Sequence, residues 1–123
     1  MDSTGWNEAQ LHAWLRQTLL PDGAGRLGAM HDAAVLETSL GRPVLCCDRT
    51  EEGIHFDDSA RPEQIGWKAA ARALSDLAAT AALPRGILLS LAAPKHRTTA
   101  WMQAVIQGAI DAADSVGAQL IGG

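Results

Sequence analysis

The stretch Gly86-Ile-Leu-Leu-Ser-Leu-Ala92 decides the fold class of this chain. It is short, apolar and bounded by prolines, which predicts a strand buried on both faces. An apolar stripe at helical spacing runs through residues 99–116, and Gly117 can end that helix. Residues 119–121 then predict another strand. The order strand, helix, strand is a crossover unit, which implies a sheet with helices packed against it.

The chain before this unit predicts two more helices and two more strands. Asn7 is a suitable N-cap for a first helix that ends near Leu20. Short strands are predicted at residues 33–36 and 43–47, joined by a hairpin. Pro62 fits the first turn of another helix. The stripe of that helix, which we expect to face the core, consists of Trp67, Ala70, Ala71, Leu74, Ala78 and Ala81.

These elements predict an α/β (α+β) fold, with a mixed four-stranded sheet and helices packed on one face. The opposite face would then carry apolar side chains with nothing in the chain to cover them. Burial against the same face of a second copy is the simplest remedy, so we expect a homodimer.

Composition excludes several functional classes. A chain of 123 residues with 47% hydrophobic residues can form one compact domain. A net charge of −4 and the lack of a Lys/Arg cluster argue against a nucleic-acid partner. No apolar run approaches the roughly 20 residues that span a bilayer, and no signal peptide is evident. We therefore expect no membrane partner and a cytoplasmic location. The adjacent Cys46 and Cys47 form neither a disulfide framework nor, alone, a zinc site.

Carboxylates recur at the ends of the predicted elements, notably Asp32 and Asp48, and Asp76 lies inside a helix. Scattered carboxylates that a fold brings together suit Mg²⁺, which takes hard oxygen ligands and bridges them to substrate phosphates. The alternative is that the first two cap turns and Asp76 faces water. His55 can likewise be a ligand or a structural residue, and Gly123 can belong to a flexible tail or to a turn that approaches phosphate.

Four segments then occur in an order and at intervals typical of one known family. They are His31-Asp-Ala-Ala-Val-Leu36, Cys46-Cys-Asp-Arg-Thr-Glu-Glu-Gly-Ile-His-Phe56, the helical segment that ends in Leu74-Ser-Asp-Leu-Ala-Ala79, and Gln119-Leu-Ile-Gly-Gly123. Together they resemble the N-terminal domain of the thiamine-monophosphate kinases, within the superfamily that includes aminoimidazole ribonucleotide synthase. The resemblance covers residues 27–123.

The resemblance implies a role for each candidate residue. His55 matches a position that contacts the thiamine phosphate substrate, and Gly123 matches a glycine beside the nucleotide. No residue is assigned a covalent catalytic role. The positions that hold the Mg²⁺ ions bridging the ATP phosphates correspond to Asp32, Cys46, Cys47, Asp48 and Asp76. The two cysteines stand where the family has hydroxyl residues, and His31 stands where it has an aspartate.

The resemblance also implies the domain plan. Residues 1–26 would form an N-terminal helix and a glycine-rich loop, and residues 27–123 the ATP- and Mg²⁺-binding domain. In the family, the sheets of two such domains pair into a barrel in the dimer. The family's C-terminal domain is absent from this sequence, so we expect this chain alone to be inactive.

The expected function is that of a thiamine-phosphate kinase, which phosphorylates thiamine monophosphate to thiamine diphosphate with ATP. Two alternatives stay open. One is a sister ATP-dependent synthase of the same superfamily with another substrate. The other is a non-catalytic domain for dimerisation or ligand binding. Mg²⁺-dependent nucleotide binding discriminates the last from the other two.

Overall fold

The structure is a computed structural model that describes residues 5–19 and 43–123. Three helices and two strands lie in these ranges: α1 (Glu8–Leu19), α2 (Pro62–Ala79), β1 (Gly86–Leu88), α3 (Thr99–Asp114) and β2 (Gln119–Gly122). None of these described helices combines the length and the apolarity needed to cross a membrane.

The crossover unit predicted from the sequence is confirmed. Strands β1 and β2 are neighbours and run parallel, with α3 connecting them. Ile87 pairs with Leu120, and just beyond β1 the N–H of Leu89 donates to the carbonyl oxygen of Gly122 at 2.9 Å. Regular strand structure ends at Leu88 rather than at the predicted residue 92. The remaining apolar residues still pack, because Leu89 and Leu91 contact the hydrophobic core.

Helices α2 and α3 cross in direct backbone contact. A Cβ atom on Gly66 would lie 1.7 Å from the carbonyl oxygen of Val105, and one on Gly108 would lie 1.9 Å from that of Glu63. Only glycine permits this approach, since a real Cβ atom would overlap the facing carbonyl. The contact turns α2 so that Trp67 remains 46% exposed. The prediction that Trp67 belongs to the core is therefore wrong.

Helix α1 and the residue before its cap pack onto the crossover unit. The side-chain oxygen of Asn7 accepts from the N–H of Gln10 at 3.1 Å, which confirms the predicted N-cap. The N–H of Trp6 donates to the carbonyl oxygen of Arg97 at 2.8 Å and its indole N–H to that of Ala93 at 3.3 Å. The largest buried cluster joins α1, α3 and β2, and its members are Leu11, Leu15, Met102, Ile106, Ile110 and Leu120.

Among residues 5–19 and 43–123, helices cover one face of the sheet, and the opposite face is exposed at Leu88. Side chains of Ile87 and Leu89 pack against the helices, whereas Leu88 between them is 64% exposed. The α/β class is thus observed, although the described part of the chain contains two of the four predicted strands. Residues 43–47 form no regular strand there, and their expected partner at 33–36 lies outside the described residues.

Candidate functional site

Two of the predicted metal-site residues, Cys46 and Asp48, contact α2. The thiol of Cys46 donates to the carbonyl oxygen of Ala73 at 3.2 Å. Arg72 donates from Nε to Oδ2 of Asp48 at 3.1 Å and from Nη2 to Oδ1 at 3.2 Å. Cys46 and Asp48 are two residues apart and point to the same side, although the segment forms no regular strand. Both cysteines are exposed. The Cys46 thiol nevertheless contacts α2, whereas the Cys47 thiol makes no hydrogen bond within residues 5–19 and 43–123.

Asp76 lies one helical turn beyond Arg72 on α2. Residues four apart in a helix share a face, and Arg72 brings Asp48 to that same face. Two of the predicted metal ligands, distant in the sequence, therefore lie on the same side of α2, and Asp76 is exposed there. Asp32 lies outside the described residues. Within residues 5–19 and 43–123, no three His, Cys, Asp or Glu side chains lie close enough together to hold a metal ion.

The carboxylate of Asp48 is held in its charged form. Hydrogen bonds from the Arg72 side chain, and then from the backbone N–H of Arg49 at 2.7 Å, lower the pKa of Asp48. The positive charge of Arg72 adds to this effect. Because the folded-state pKa is lowered, the interaction is present above the ordinary pKa of aspartate and is lost as the pH falls through the lowered value. Asp48 is thus an ionised oxygen donor at neutral pH.

These donors fit a hard divalent cation better than a soft one. Asp48 and Asp76 offer carboxylate oxygens, which Mg²⁺ prefers. The Cys46 sulfur is a soft donor, and its thiol is already engaged by the carbonyl oxygen of Ala73. The aspartates are therefore the residues that would hold Mg²⁺, and the thiols are poor substitutes for hydroxyl ligands. Arg72 currently occupies both oxygens of Asp48, so a metal would have to displace it.

A tight turn presents the His55 side chain. The N–H of His55 donates to the carbonyl oxygen of Glu51 at 2.9 Å, and the N–H of Glu51 donates to Nδ1 of His55 at 3.0 Å. Gly53 adopts φ +82°, which favours glycine, and its N–H donates to the carbonyl oxygen of Phe56 at 2.8 Å. The Lys68 ammonium also donates to the carbonyl oxygen of His55. Because Nδ1 accepts, the neutral ring carries its proton on Nε2, where it can donate to an anionic ligand.

An arginine that the sequence reasoning missed fastens this turn to the start of α3. One nitrogen of Arg97, Nη2, lies 2.7 Å from both Oε1 of Glu52 and Oδ1 of Asp58. Its guanidinium stacks 4.7 Å from the ring centre of Trp101. A hydrogen bond with Glu52, followed by the one with Arg97, lowers the pKa of Asp58. The only sequence signal was the basic run Lys95-His-Arg97, which does not identify its acidic partners.

The predicted nucleotide-binding glycine lies at the carboxyl end of the parallel strands. A Cβ atom on Gly123 would lie 1.7 Å from the carbonyl oxygen of Leu89, so the close strand contact requires glycine there. A groove of about 360 Å³ opens beside it, lined mainly by apolar side chains. Ser90, Glu8 and His12 add polar groups at its wall, and none of them was predicted. Ligands of open α/β sheets bind at this end of the strands.

Comparison with known proteins gives one consistent family. The family described as AIR synthase related protein, N-terminal domain, matches residues 30–123. The chain is 45% identical over 94 residues to a protein named thiamine-monophosphate kinase from Synechococcus elongatus, an alignment that covers 75% of this chain and 29% of that protein.

Proteins of the same name from other organisms align comparably. One from Bacillus subtilis is 35% identical over 79% of this chain and 30% of its own length. Another from Aquifex aeolicus is 32% identical over 75% of this chain and 30% of its own length. The chain thus spans about three tenths of the length of these relatives. No solved structure matches it significantly.

Proposed function

The chain belongs to the AIR synthase related family, whose N-terminal domain it contains, and we propose that it supplies the ATP- and Mg²⁺-binding part of a thiamine-monophosphate kinase. The reaction would transfer the γ-phosphoryl group of ATP to thiamine monophosphate and yield thiamine diphosphate and ADP. The names of the relatives support the substrate, and the family match supports the nucleotide chemistry.

One observation carries the proposal: Asp48 binds Arg72, which lies one turn before Asp76 on α2, so the two aspartates lie on the same side of that helix. A purely structural tie accounts for the pair of Asp48 and Arg72 but gives Asp76 no task on this exposed helix face. A phosphoryl-transfer site needs a divalent cation, and carboxylate oxygens on one side of a helix are suitable ligands for it.

Each candidate residue has a defined task in this proposal. Asp48 and Asp76, together with Asp32, would hold Mg²⁺, which supplies charge neutralisation for the phosphate oxygens. His55 would donate its Nε2 proton in a hydrogen bond to the substrate phosphate, and the bonds to Nδ1 and to its carbonyl oxygen keep the ring oriented. Gly123, which lacks a side chain, would let the nucleotide approach the end of β2.

The chemistry itself would be direct. An oxygen of thiamine monophosphate attacks the γ-phosphorus in line, the bond from that phosphorus to the β–γ bridging oxygen breaks, and ADP leaves with the bond's electrons. No covalent enzyme intermediate forms. The protein's contribution is therefore to position the two phosphates and to stabilise charge.

Four further expectations from the sequence are also part of the proposal. The protein would form a homodimer in which the sheets pair through their exposed faces, and each sheet would contain four strands. Residues 1–26 would form the N-terminal helix and loop, residues 27–123 the binding domain, and the protein would be cytoplasmic. The exposure of Leu88 supports the dimer, because it leaves apolar surface on the face opposite the helices.

Nucleotide binding by the chain itself tests the proposal. Calorimetric titration with ADP in the presence and absence of Mg²⁺ measures affinity, and the variants are Asp48→Asn and Asp76→Asn. Each should weaken Mg·ADP binding by at least about tenfold, since each removes a charged metal ligand. Asp114→Asn is the matched control, because this exposed aspartate lies at the far end of α3. Binding that persists unchanged in Asp48→Asn and Asp76→Asn would contradict the metal assignment.

A non-catalytic ligand-binding or dimerisation domain is the second candidate. The observation that favours it is the bond from Cys46 to the Ala73 carbonyl oxygen, which uses a metal-site position for a structural contact. This alternative predicts a stable dimer with no nucleotide affinity at any Mg²⁺ concentration. Because both functions predict a dimer, the calorimetric titration with Mg·ADP discriminates them: only the kinase domain should bind the nucleotide.

A further inference from the structure

Arg72 has no task in the proposed transfer, yet it makes the most specific contact at the site. Its guanidinium binds Asp48 at two points, with Nε 3.1 Å from Oδ2 and Nη2 3.2 Å from Oδ1. Such a fork engages both carboxylate oxygens and fixes the orientation of the group. These two oxygens are the ones that a divalent cation at Asp48 would need.

A guanidinium and a divalent cation cannot use the same oxygens together. Both are positively charged, and the arginine hydrogens occupy the lone pairs that a metal would take. The pair is nevertheless open to exchange, because the side chains of Arg72 and Asp48 are 38% and 24% exposed. Water can therefore solvate each charge as the contact breaks, and little is lost when the arginine moves away.

A displaced Arg72 would remain beside the metal. It shares its face of α2 with Asp76, so its guanidinium would lie at the edge of the group of carboxylates. Metal-bound phosphates bring oxygen atoms to this edge, and arginine binds phosphate oxygens with the same two-point fork that it uses for carboxylate. The Arg72 side chain can thus bind Asp48 when the metal is absent and phosphate when the metal–nucleotide complex is bound.

We propose that Arg72 is an exchangeable counter-ion, which neutralises Asp48 in the free protein and passes to the phosphates of a metal–nucleotide complex when the metal takes Asp48. This inference rests on the proposed function. It assigns a phosphate-binding residue. It also predicts that loss of Arg72 strengthens the binding of free metal and weakens the binding of the metal–nucleotide complex.

The rival interpretation is a fixed structural tie that holds the Asp48 segment on α2. In that case, loss of Arg72 would loosen the segment and weaken binding of metal and nucleotide alike. Arg49 offers a matched control, because it is the next residue after Asp48 but its guanidinium pairs with Glu51. Arg49→Gln removes the same charge from the same neighbourhood without freeing the oxygens of Asp48.

The experiment measures Mn²⁺ binding to the full chain by electron paramagnetic resonance, first without nucleotide. Arg72→Gln should bind Mn²⁺ about twofold to fivefold more tightly than the unaltered chain, as expected for loss of a partly exposed competing ion pair. Arg49→Gln should change the affinity less than Arg72→Gln. In calorimetry with Mn·ADP, Arg72→Gln should bind more weakly than the unaltered chain.

Three results would overturn the exchange: weaker or unchanged Mn²⁺ binding in Arg72→Gln, an equal gain in Arg49→Gln, or undiminished Mn·ADP binding in Arg72→Gln. Asp48→Asn separates this failure from failure of the proposed function. If Asp48→Asn weakens Mn²⁺ binding while Arg72→Gln does not strengthen it, only the exchange is wrong. If Asp48→Asn leaves Mn²⁺ binding unchanged, the metal site fails and the exchange falls with it.

Discussion

Replacing Gly66 by alanine should destabilise the protein, although helix propensity alone predicts the opposite. Alanine is favoured over glycine in a helix interior by about 1 kcal/mol. At this position the added Cβ would lie 1.7 Å from the carbonyl oxygen of Val105 and 2.9 Å from the backbone nitrogen of Ala109. Both obstacles are backbone atoms of α3, so no rotation of a side chain relieves the overlap.

The structure sets the expected size of the effect. A carbon–oxygen contact needs about 3.3 Å, so α2 would have to move away from α3 by roughly 1.5 Å at this point. Overpacking of this kind costs about 3 kcal/mol at the upper end of its usual range. After subtraction of the propensity gain, Gly66→Ala should lower the free energy of unfolding by about 2 kcal/mol, or the melting temperature by roughly 8 °C for a chain of this size.

Urea unfolding followed by circular dichroism measures this change. Ala78→Gly, at an exposed position of the same helix, is the control and should lose up to about 1 kcal/mol through propensity alone. A Gly66→Ala variant that is as stable as the unaltered chain, or more stable, would refute the close crossing of α2 and α3. It would also remove the support that fixes the helix carrying Asp76 and Arg72.

Further predictions concern a helix end and the turn beside the site. Ala81 adopts φ +56° just beyond α2, so Ala81→Gly should raise the free energy of unfolding by about 0.5–1 kcal/mol in the same urea assay. Arg97→Met should speed hydrogen exchange of amides in residues 51–58, measured by mass spectrometry, because it removes the cation that binds two carboxylates of that segment. Ser59→Ala should raise the pKa of Asp57 towards its ordinary value, since hydrogen bonds from the Ser59 hydroxyl and N–H lower it; carbon NMR titration of the carboxyl group tests this, and an unchanged pKa would contradict it.

Helix boundaries were predictable where a local residue sets them. Asn7 caps α1 as expected. Gly117 follows α3 with φ +73°, and its N–H and that of Ala118 donate to the carbonyl oxygens of Asp114 and Ala113. These contacts span six residues or fewer, and their chemistry is visible in the sequence. The parallel pairing of β1 and β2 was predictable for a related reason, since a helix between two apolar runs leaves few other arrangements.

The orientation of α2 was not predictable from its own pattern. The apolar stripe that begins at Trp67 predicts the core-facing side of α2, yet the helix turns Gly66 towards α3 and leaves Trp67 exposed. The gain from close backbone packing depends on a second glycine, Gly108, in another helix. Hydrophobic periodicity within one helix carries no information about such a partner.

The candidate site, too, was predictable from the sequence only in part. The proposed roles of Asp48 and Asp76 come from resemblance to a family, whereas the contact of Asp48 with Arg72, one turn before Asp76, is a structural finding. The side chains that hold the site together, Arg72 and Arg97, pair with carboxylates far away in the sequence. Arginine on a predicted helix or loop is most often solvated, so spacing alone could not identify these two as ion-pair partners.

Paramagnetic broadening by Mn²⁺ tests the convergence of the carboxylates most directly. In a nitrogen–proton NMR spectrum of the labelled chain, one bound ion should broaden the amide signals of Asp32, Asp48 and Asp76 at the same substoichiometric Mn²⁺ concentration, and excess Mg²⁺ should restore them. Broadening confined to one of these residues, or scattered over the exposed acidic groups of the whole chain, would mean that the three carboxylates bind no common ion.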